Sequence, residues 1–211
     1  MNPQADHAER RNPRPGILPR SLTPNLIVIG VSCLPALGLA ARFAFEGFGA
    51  NPIEEITHTT GRWGLRLILL SLAVTPARRW LDVRGIAPLR RTLGLAGFSY
   101  ACCHLATWSL LDLGLDGAAI LEDLRERRFV MLGMGSFSLL LILAITSTRG
   151  GSKRLGARWR RLHRLVYAAA ILAVVHHLWL TKADYGPPIV HGAILAALLG
   201  ARLAWWTRQR A

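Results

Sequence analysis

Apolar residues gather in this chain into six long runs, 25–45, 63–76, 93–113, 129–146, 165–181 and 189–206, and short links between them hold most of the charge. Most of the runs approach the ~20 residues that an α-helix needs to cross the hydrocarbon core of a bilayer. The second is the shortest; it spans only if Arg62 and Arg66 snorkel outward at one end and Arg78 and Arg79 at the other. The sixth takes Trp205 and Trp206 as interfacial anchors, and Trp63, Trp80, Trp108 and Trp179 read the same way near other span ends. The pattern predicts an all-α polytopic membrane bundle of about six transmembrane helices. No link is long enough to fold by itself. Residues 25–206 therefore read as one transmembrane domain between a Pro- and Arg-rich disordered tail at 1–24 and a short tail at 207–211.

Charge adds an orientation. The formal net charge is +14 although 52% of the residues are apolar, a combination that requires the arginines to be segregated from the apolar runs. A nucleic-acid-binding surface would line one face of a soluble fold with them; here they sit in the links, as the positive-inside rule places them. One side of the six spans holds Arg10, Arg11, Arg14 and Arg20, then the 78–91 link, then the strongly basic 149–164 segment, then Arg208 and Arg210. That side is read as cytoplasmic, with both termini. The other side holds the links 46–62, 112–128 and 182–188, where Arg125, Arg127 and Arg128 weaken the asymmetry without reversing it. Within 112–128, Ile120, Leu121 and Leu124 fall at helical spacing with Glu122, Asp123 and Arg125 on the remaining faces. This predicts a short amphipathic helix lying in the interface, a candidate docking surface.

Several chemistries are disfavoured at once. The first twenty residues lack the apolar stretch of a secretory signal. Cys33, Cys102 and Cys103 lie inside apolar runs with no C-x-x-C spacing, so they read as buried thiols rather than as a disulfide framework or a zinc knuckle. The triplet Cys102-Cys103-His104 lacks the spacing for covalent haem attachment. Neither a phosphate-binding glycine loop nor a G-x-S-x-G or H-E-x-x-H motif is present. Any chemistry falls within the membrane or at its faces.

Ionisable side chains inside spans are costly and are functional candidates by default, which selects His104, His163, His176, His177 and Arg66. His104 lies thirteen residues past Arg91, and His176 thirteen past His163. With Arg91 and His163 level at the cytoplasmic boundary, His104 and His176 each lie ~20 Å into parallel helices at ~1.5 Å per residue. Two histidines on different helices at matching depth suit a bis-histidine haem iron, one imidazole on each face of the porphyrin. Rotation is less decisive: on a continuous helix His163 shares a face with His177 rather than with His176, so spacing leaves both candidates open. The alternative for any such histidine is a hydrogen bond across a helix interface. His7 falls in the N-terminal tail, and His58 and His191 sit at the outer ends of spans, where they read as solvated. Arg62 and Arg66, one turn apart, are candidates either to neutralise haem propionates or to snorkel to headgroups.

The stretches HTTGRWGLRLILLSLAVTP, RRTLGL with CCHLATWSLLDLG, ITSTR and LGARWRRLHRLVYAAAILAVVHHLW, from about residue 51 to 181, resemble a known family. It comprises the haem-binding membrane subunits of the bacterial protein-methionine-sulfoxide reductase system, in the ferric-reductase-like transmembrane group. The resemblance implies a multi-pass b-type cytochrome of the bacterial inner membrane. It would pass electrons from the quinone pool, with a flavin mononucleotide described alongside haem, to a periplasmic molybdopterin subunit that reduces methionine sulfoxide in oxidised proteins. The family's histidines map onto His104, His163 and His176, which selects His176 over His177; His104 and His176 are then the expected iron ligands. One haem is expected and two remain open, because Arg90 and Arg91 stand where a second histidine would be needed. The substrate-reducing site is expected on the partner. Two other readings stay in view: a cytochrome b that oxidises quinol for a different periplasmic enzyme, and a non-redox transporter or scaffold whose histidines knit helices together.

Overall fold

The computed structural model describes residues 22–45, 47, 49–80 and 85–209. The N-terminal tail up to residue 21, Arg84 and the last two residues lie outside them. Among the described residues every regular element is helical: α1 Leu22–Phe45, α2 Pro52–Trp80, α3 Leu89–Ala106, α4 Gly117–Glu126, α5 Arg128–Thr146, α6 Arg149–Leu155, α7 Ala157–Leu162, α8 Leu165–Leu180 and α9 Gly186–Arg208. A wider π-helical turn, Thr107–Asp112, continues α3. There Gly114 and Leu115 take positive φ to reverse the chain, and the Asp116 carboxylate caps α4 by accepting from the N–H groups of Ala118 and Ala119.

All six apolar runs lie on helices, apart from the terminal residues Leu113 and Thr181. Four segments are long and apolar enough to cross a membrane by themselves: Pro24–Phe45, Arg128–Thr146, Ala157–Leu180 and Gly186–Arg208. The second and third runs fall short by composition, since α2 carries Arg62, Arg66, Arg78 and Arg79 while α3 opens on Arg90 and Arg91. These two helices pack against each other instead. A Cβ on Gly97 would lie 3.1 Å from the Gly64 carbonyl oxygen, and one on Gly64 would lie 3.3 Å from that of Gly97. Small residues at this crossing let the backbones close to van der Waals distance, the packing that drives helix association where lipid removes the hydrophobic difference.

A second pair, α5 with α8, is tied by the Ser136 hydroxyl donating to the Ala169 carbonyl at 2.8 Å. The two pairs share one core of Leu65, Ile68, Leu69, Leu72, Leu140, Ala169, Ala170 and, from α9, Leu195. α1 lies outside α3, held by the Thr92 hydroxyl donating to the Asn25 side-chain oxygen at 2.7 Å. Its other faces expose Leu26, Ile27, Val31, Leu34 and Leu37, an apolar surface suited to lipid. The helix that carries the fifth run does not extend unbroken back to His163. α7 stops at Leu162, His163 and Arg164 intervene, and α8 restarts at Leu165. A rotation counted through His163 as if the helix were unbroken therefore does not apply.

Two prolines interrupt the helical ladder: at Pro76 a neighbouring helix supplies the missing donor, and beside Pro35 another bridges the adjacent rung. Pro76 has no N–H for the Leu72 carbonyl; Arg202 of α9 donates to that carbonyl through Nη2 at 2.6 Å, while its Nη1 donates to the Tyr167 hydroxyl. Beside Pro35 in α1, the Tyr100 hydroxyl of α3 stands between two backbone partners. It accepts from the Ala36 N–H at 3.1 Å and donates to the Ser32 carbonyl at 2.8 Å. In hydrocarbon an unmatched backbone group has no water to turn to. Tyr100→Phe and Arg202→Leu are each expected to cost about 1–2 kcal/mol, measured as a lowered unfolding midpoint of the detergent-solubilised protein.

Candidate functional site

Two histidines meet between the four packed helices, toward one end of them. His104, near the end of α3, directs Nδ1 to the Thr57 carbonyl of α2 at 2.8 Å. His176, late in α8, directs Nδ1 to the Phe129 carbonyl of α5 at 2.7 Å. A carbonyl only accepts, so each Nδ1 carries the proton and each Nε2 keeps a free lone pair, the tautomer needed to bind a metal through Nε2. The two ring centroids lie 6.1 Å apart with their planes at 78°. Imidazoles on opposite sides of one metal, bonded at ~2.0 Å with the ring centre roughly 1.1 Å behind the nitrogen, have centroids about 6 Å apart. Among the described residues no cluster of three or more His, Cys, Asp and Glu side chains could hold a bare metal ion. The donor set therefore fits a metal that brings its own equatorial ligands, as a porphyrin iron does. Phe129 lies 6.1 Å from the His176 ring, and Phe98 stacks on Phe137 at 5.7 Å between α3 and α5, which makes the α3–α5 side aromatic.

The two halves of the site share one plan. Each histidine lies 47 residues beyond the carbonyl it binds, and Thr57, Gly61 and His104 recur 72 residues later as Phe129, Gly133 and His176. The α2–α3 pair and the α5–α8 pair are thus two copies of the same hairpin arrangement, with no residue identity beyond the glycine and the histidine among these three positions.

His177 turns away from this pair and packs against His191 of α9, with centroids 5.4 Å apart at 40°. The reading of His191 as a solvated interfacial residue is corrected here: it is 4% exposed, and its Nδ1 is buried without a hydrogen-bond partner. Membership of a span end misled, because α9 packs on α2 and α8 and covers this ring. His58, expected to be solvated, is half-buried. Arg62 and Arg66 share a stripe of α2 with His58 and lie within electrostatic range of His191. Arg62 reaches the Thr59 hydroxyl at 3.5 Å, and the Arg66 guanidinium lies 4.8 Å over the Trp63 ring. The cluster is cationic and adjoins the histidine pair, since Arg62 follows Gly61 and His177 follows His176.

His163 is elsewhere. It closes α7, thirteen residues and so roughly 20 Å before His176 at a helical rise, and both of its nitrogens have neighbours. Nδ1 faces the Trp159 carbonyl at 3.2 Å and Nε2 the Ser147 hydroxyl at 3.3 Å, with the ring stacked on Trp159 at 3.8 Å. The structure does not bring it to His104 and His176. In α4, Ile120 and Leu124 are half-buried, but Asp123, placed by the sequence on a polar face, is buried. It accepts from the Trp108 indole N–H at 3.1 Å and pairs with Arg127 at 2.9 Å, and these partners draw it inward. Trp108, read as an interface anchor, instead holds α4 to the end of α3.

Residues 60–174 match the family described as the ferric reductase like transmembrane component. The chain is 42% identical over 204 residues to the protein-methionine-sulfoxide reductase heme-binding subunit MsrQ of Caulobacter vibrioides, covering 96% of each chain. It is 44% identical over 186 residues to the protein of the same name from Rhodospirillum rubrum, covering 87% of this chain and 89% of that one. The Bordetella pertussis protein of that name is 42% identical over 169 residues, 79% of this chain and 82% of its own. The fold, the apolar spans and these similarities agree: the chain is a multi-pass membrane protein that belongs to the ferric-reductase-like transmembrane family and, within it, to the MsrQ group.

Proposed function

We propose that this chain is the haem-binding, electron-transferring subunit of a protein-methionine-sulfoxide reductase in the bacterial inner membrane, with both termini in the cytoplasm. The observation that carries the reading is the pair His104 and His176, 6.1 Å apart, each holding its Nε2 free by donating through Nδ1 to a backbone carbonyl. A b-type haem bound there would supply an iron that changes oxidation state by one electron without proton or ligand exchange. The chain's own contribution is to present two neutral imidazoles in one tautomer, to surround them with apolar packing that excludes water, and to place cations beside them. Arg62 and Arg66 are positioned to balance the carboxylates of such a group.

Electrons are proposed to come from the quinone pool, with flavin mononucleotide as a further carrier, and to leave toward a periplasmic molybdopterin subunit that reduces methionine sulfoxide. Sidedness supports that direction. The histidine pair lies next to the outer links on the sequence-derived topology, whereas His163, in the basic 149–164 segment, stands near the proposed entry side. A single haem at His104 and His176 is the arrangement the geometry supports, since both nitrogens of His163 already face protein groups.

In purified, dithionite-reduced protein, His104→Ala and His176→Ala are each expected to abolish the low-spin haem spectrum, while His177→Ala leaves it largely intact. Loss in His177→Ala with a normal spectrum in His176→Ala would reverse the ligand assignment. The outer helix α4 is proposed to form part of the docking surface for the partner. Arg127 is tied to Asp123, which leaves Arg125 of α4 and Arg128, the adjoining first residue of α5, both exposed, as the residues to test. Reversing their charge is expected to slow oxidation of the reduced haem by the partner and to flatten its salt dependence, with the spectrum unchanged. Identical stopped-flow rates across ionic strengths would remove α4 from the docking surface.

A further inference from the structure

The two carbonyls that hold the histidine rings are each followed, one helical turn later, by a glycine: Thr57 by Gly61 on α2, and Phe129 by Gly133 on α5. In an α-helix the carbonyl of residue i accepts from the N–H of residue i+4, and the Cβ of residue i+4 leans back toward the helix N-terminus. A side chain from another helix that reaches the same carbonyl must therefore pass through the space where that Cβ would be. Here the imidazoles occupy it. A Cβ on Gly61 would lie 3.0 Å from Nδ1 and 3.1 Å from Cε1 of His104. One on Gly133 would lie 2.9 Å from Nδ1 and 3.0 Å from Cε1 of His176. Neither ring can retreat and keep its place, because each is bound at hydrogen-bond distance to the carbonyl beside the glycine.

This closeness is not general to glycines in the bundle. Gly135 sits on the same helix as Gly133 and two residues away, yet a Cβ there would meet only Leu172, at an ordinary 3.5 Å. Gly97 is also crowded, but by Ile68 and the α2 backbone rather than by an imidazole. Only Gly61 and Gly133, among the described glycines, would meet a histidine ring.

We propose that Gly61 and Gly133 are positioning residues, each forming a notch in its helix through which one imidazole reaches a backbone carbonyl. The notch determines which nitrogen carries the proton and how the ring is turned about the axis joining the two histidines. Since it occurs once in each hairpin at the 72-residue offset, the two rings are set independently, and their 78° interplanar angle follows from two local contacts. The inference rests on the reading of His104 and His176 as iron ligands and assigns the groups that orient them. Such outer partners govern metal affinity and ligand orientation nearly as strongly as the ligands do.

The test uses the full-length protein with its haem, as Gly61→Ala, Gly133→Ala and the matched control Gly135→Ala. Alanine is the better helix former, so any loss cannot come from helix propensity. The two notch variants are expected to retain haem roughly tenfold more weakly. Their remaining haem should show displaced low-spin EPR g values and a shifted midpoint potential, while Gly135→Ala keeps wild-type values. Wild-type g values, potential and haem content in both notch variants would overturn the proposal. Should a notch variant fail to accumulate in membranes, the clashing ring is removed as well, in Gly61→Ala/His104→Ala and Gly133→Ala/His176→Ala. Recovery of the double variant to the level of the single histidine variant supports the notch; its continued absence shows that the alanine clashes elsewhere and overturns it. The ligand reading fails separately, by an unchanged low-spin spectrum in His104→Ala or His176→Ala.

Discussion

Two hydrogen bonds inside hydrocarbon organise this molecule: the Nδ1–H of His104 on the Thr57 carbonyl and that of His176 on the Phe129 carbonyl. An imidazole buried among apolar groups is costly unless its polar atoms are matched. Backbone carbonyls are the partners that a helix bundle has in supply, because each oxygen has a second lone pair after its helical rung is made. The bond has consequences at both ends. It ties α3 to α2 and α8 to α5, and it leaves the two Nε2 atoms as the unused lone pairs between the helices.

The same economy explains the proline breaks. A spanning helix that lacks one rung exposes a carbonyl or an N–H to an environment without water. Here the Arg202 guanidinium takes the donor role that Pro76 leaves empty, and the Tyr100 hydroxyl bridges the Ser32–Ala36 rung beside Pro35. Tyr100 and Arg202 thereby fasten α1 to α3 and α9 to α2, the two outer helices to the central four. The lateral arrangement of the bundle is held by polar stitches at a few named positions, and its apolar exterior remains free to face lipid.

Charge is distributed to match. Arg62, Arg66, His58, His177 and His191 gather beside the histidine pair between α2, α8 and α9. Arg78 and Arg79 of α2, and the basic 153–164 stretch that precedes α8, lie at the opposite ends of these helices. The first cluster suits an anionic group next to the ring pair; the second belongs to the membrane surface. His163 shares the second environment, stacked on Trp159 and facing Ser147, which separates it chemically from the pair although it stands just before the helix that carries His176.

The sequence by itself determined the helical class, the positions of the apolar runs, the family and the equal depth of His104 and His176. Each of these depends on local periodicity, on residue order or on rise per residue, all of which are set along one helix at a time. Only the tertiary structure decided which way each ring faces. The restart of α8 after His163 removed the rotational count that had left His176 and His177 both open, and interhelical packing buried His191 and turned Asp123 inward. The carbonyl partners and the glycines beside them were likewise out of reach of the sequence. A hydrogen bond across 47 residues leaves no trace in local pattern, and a glycine inside a spanning run signals only close approach until the neighbouring helix shows what approaches it.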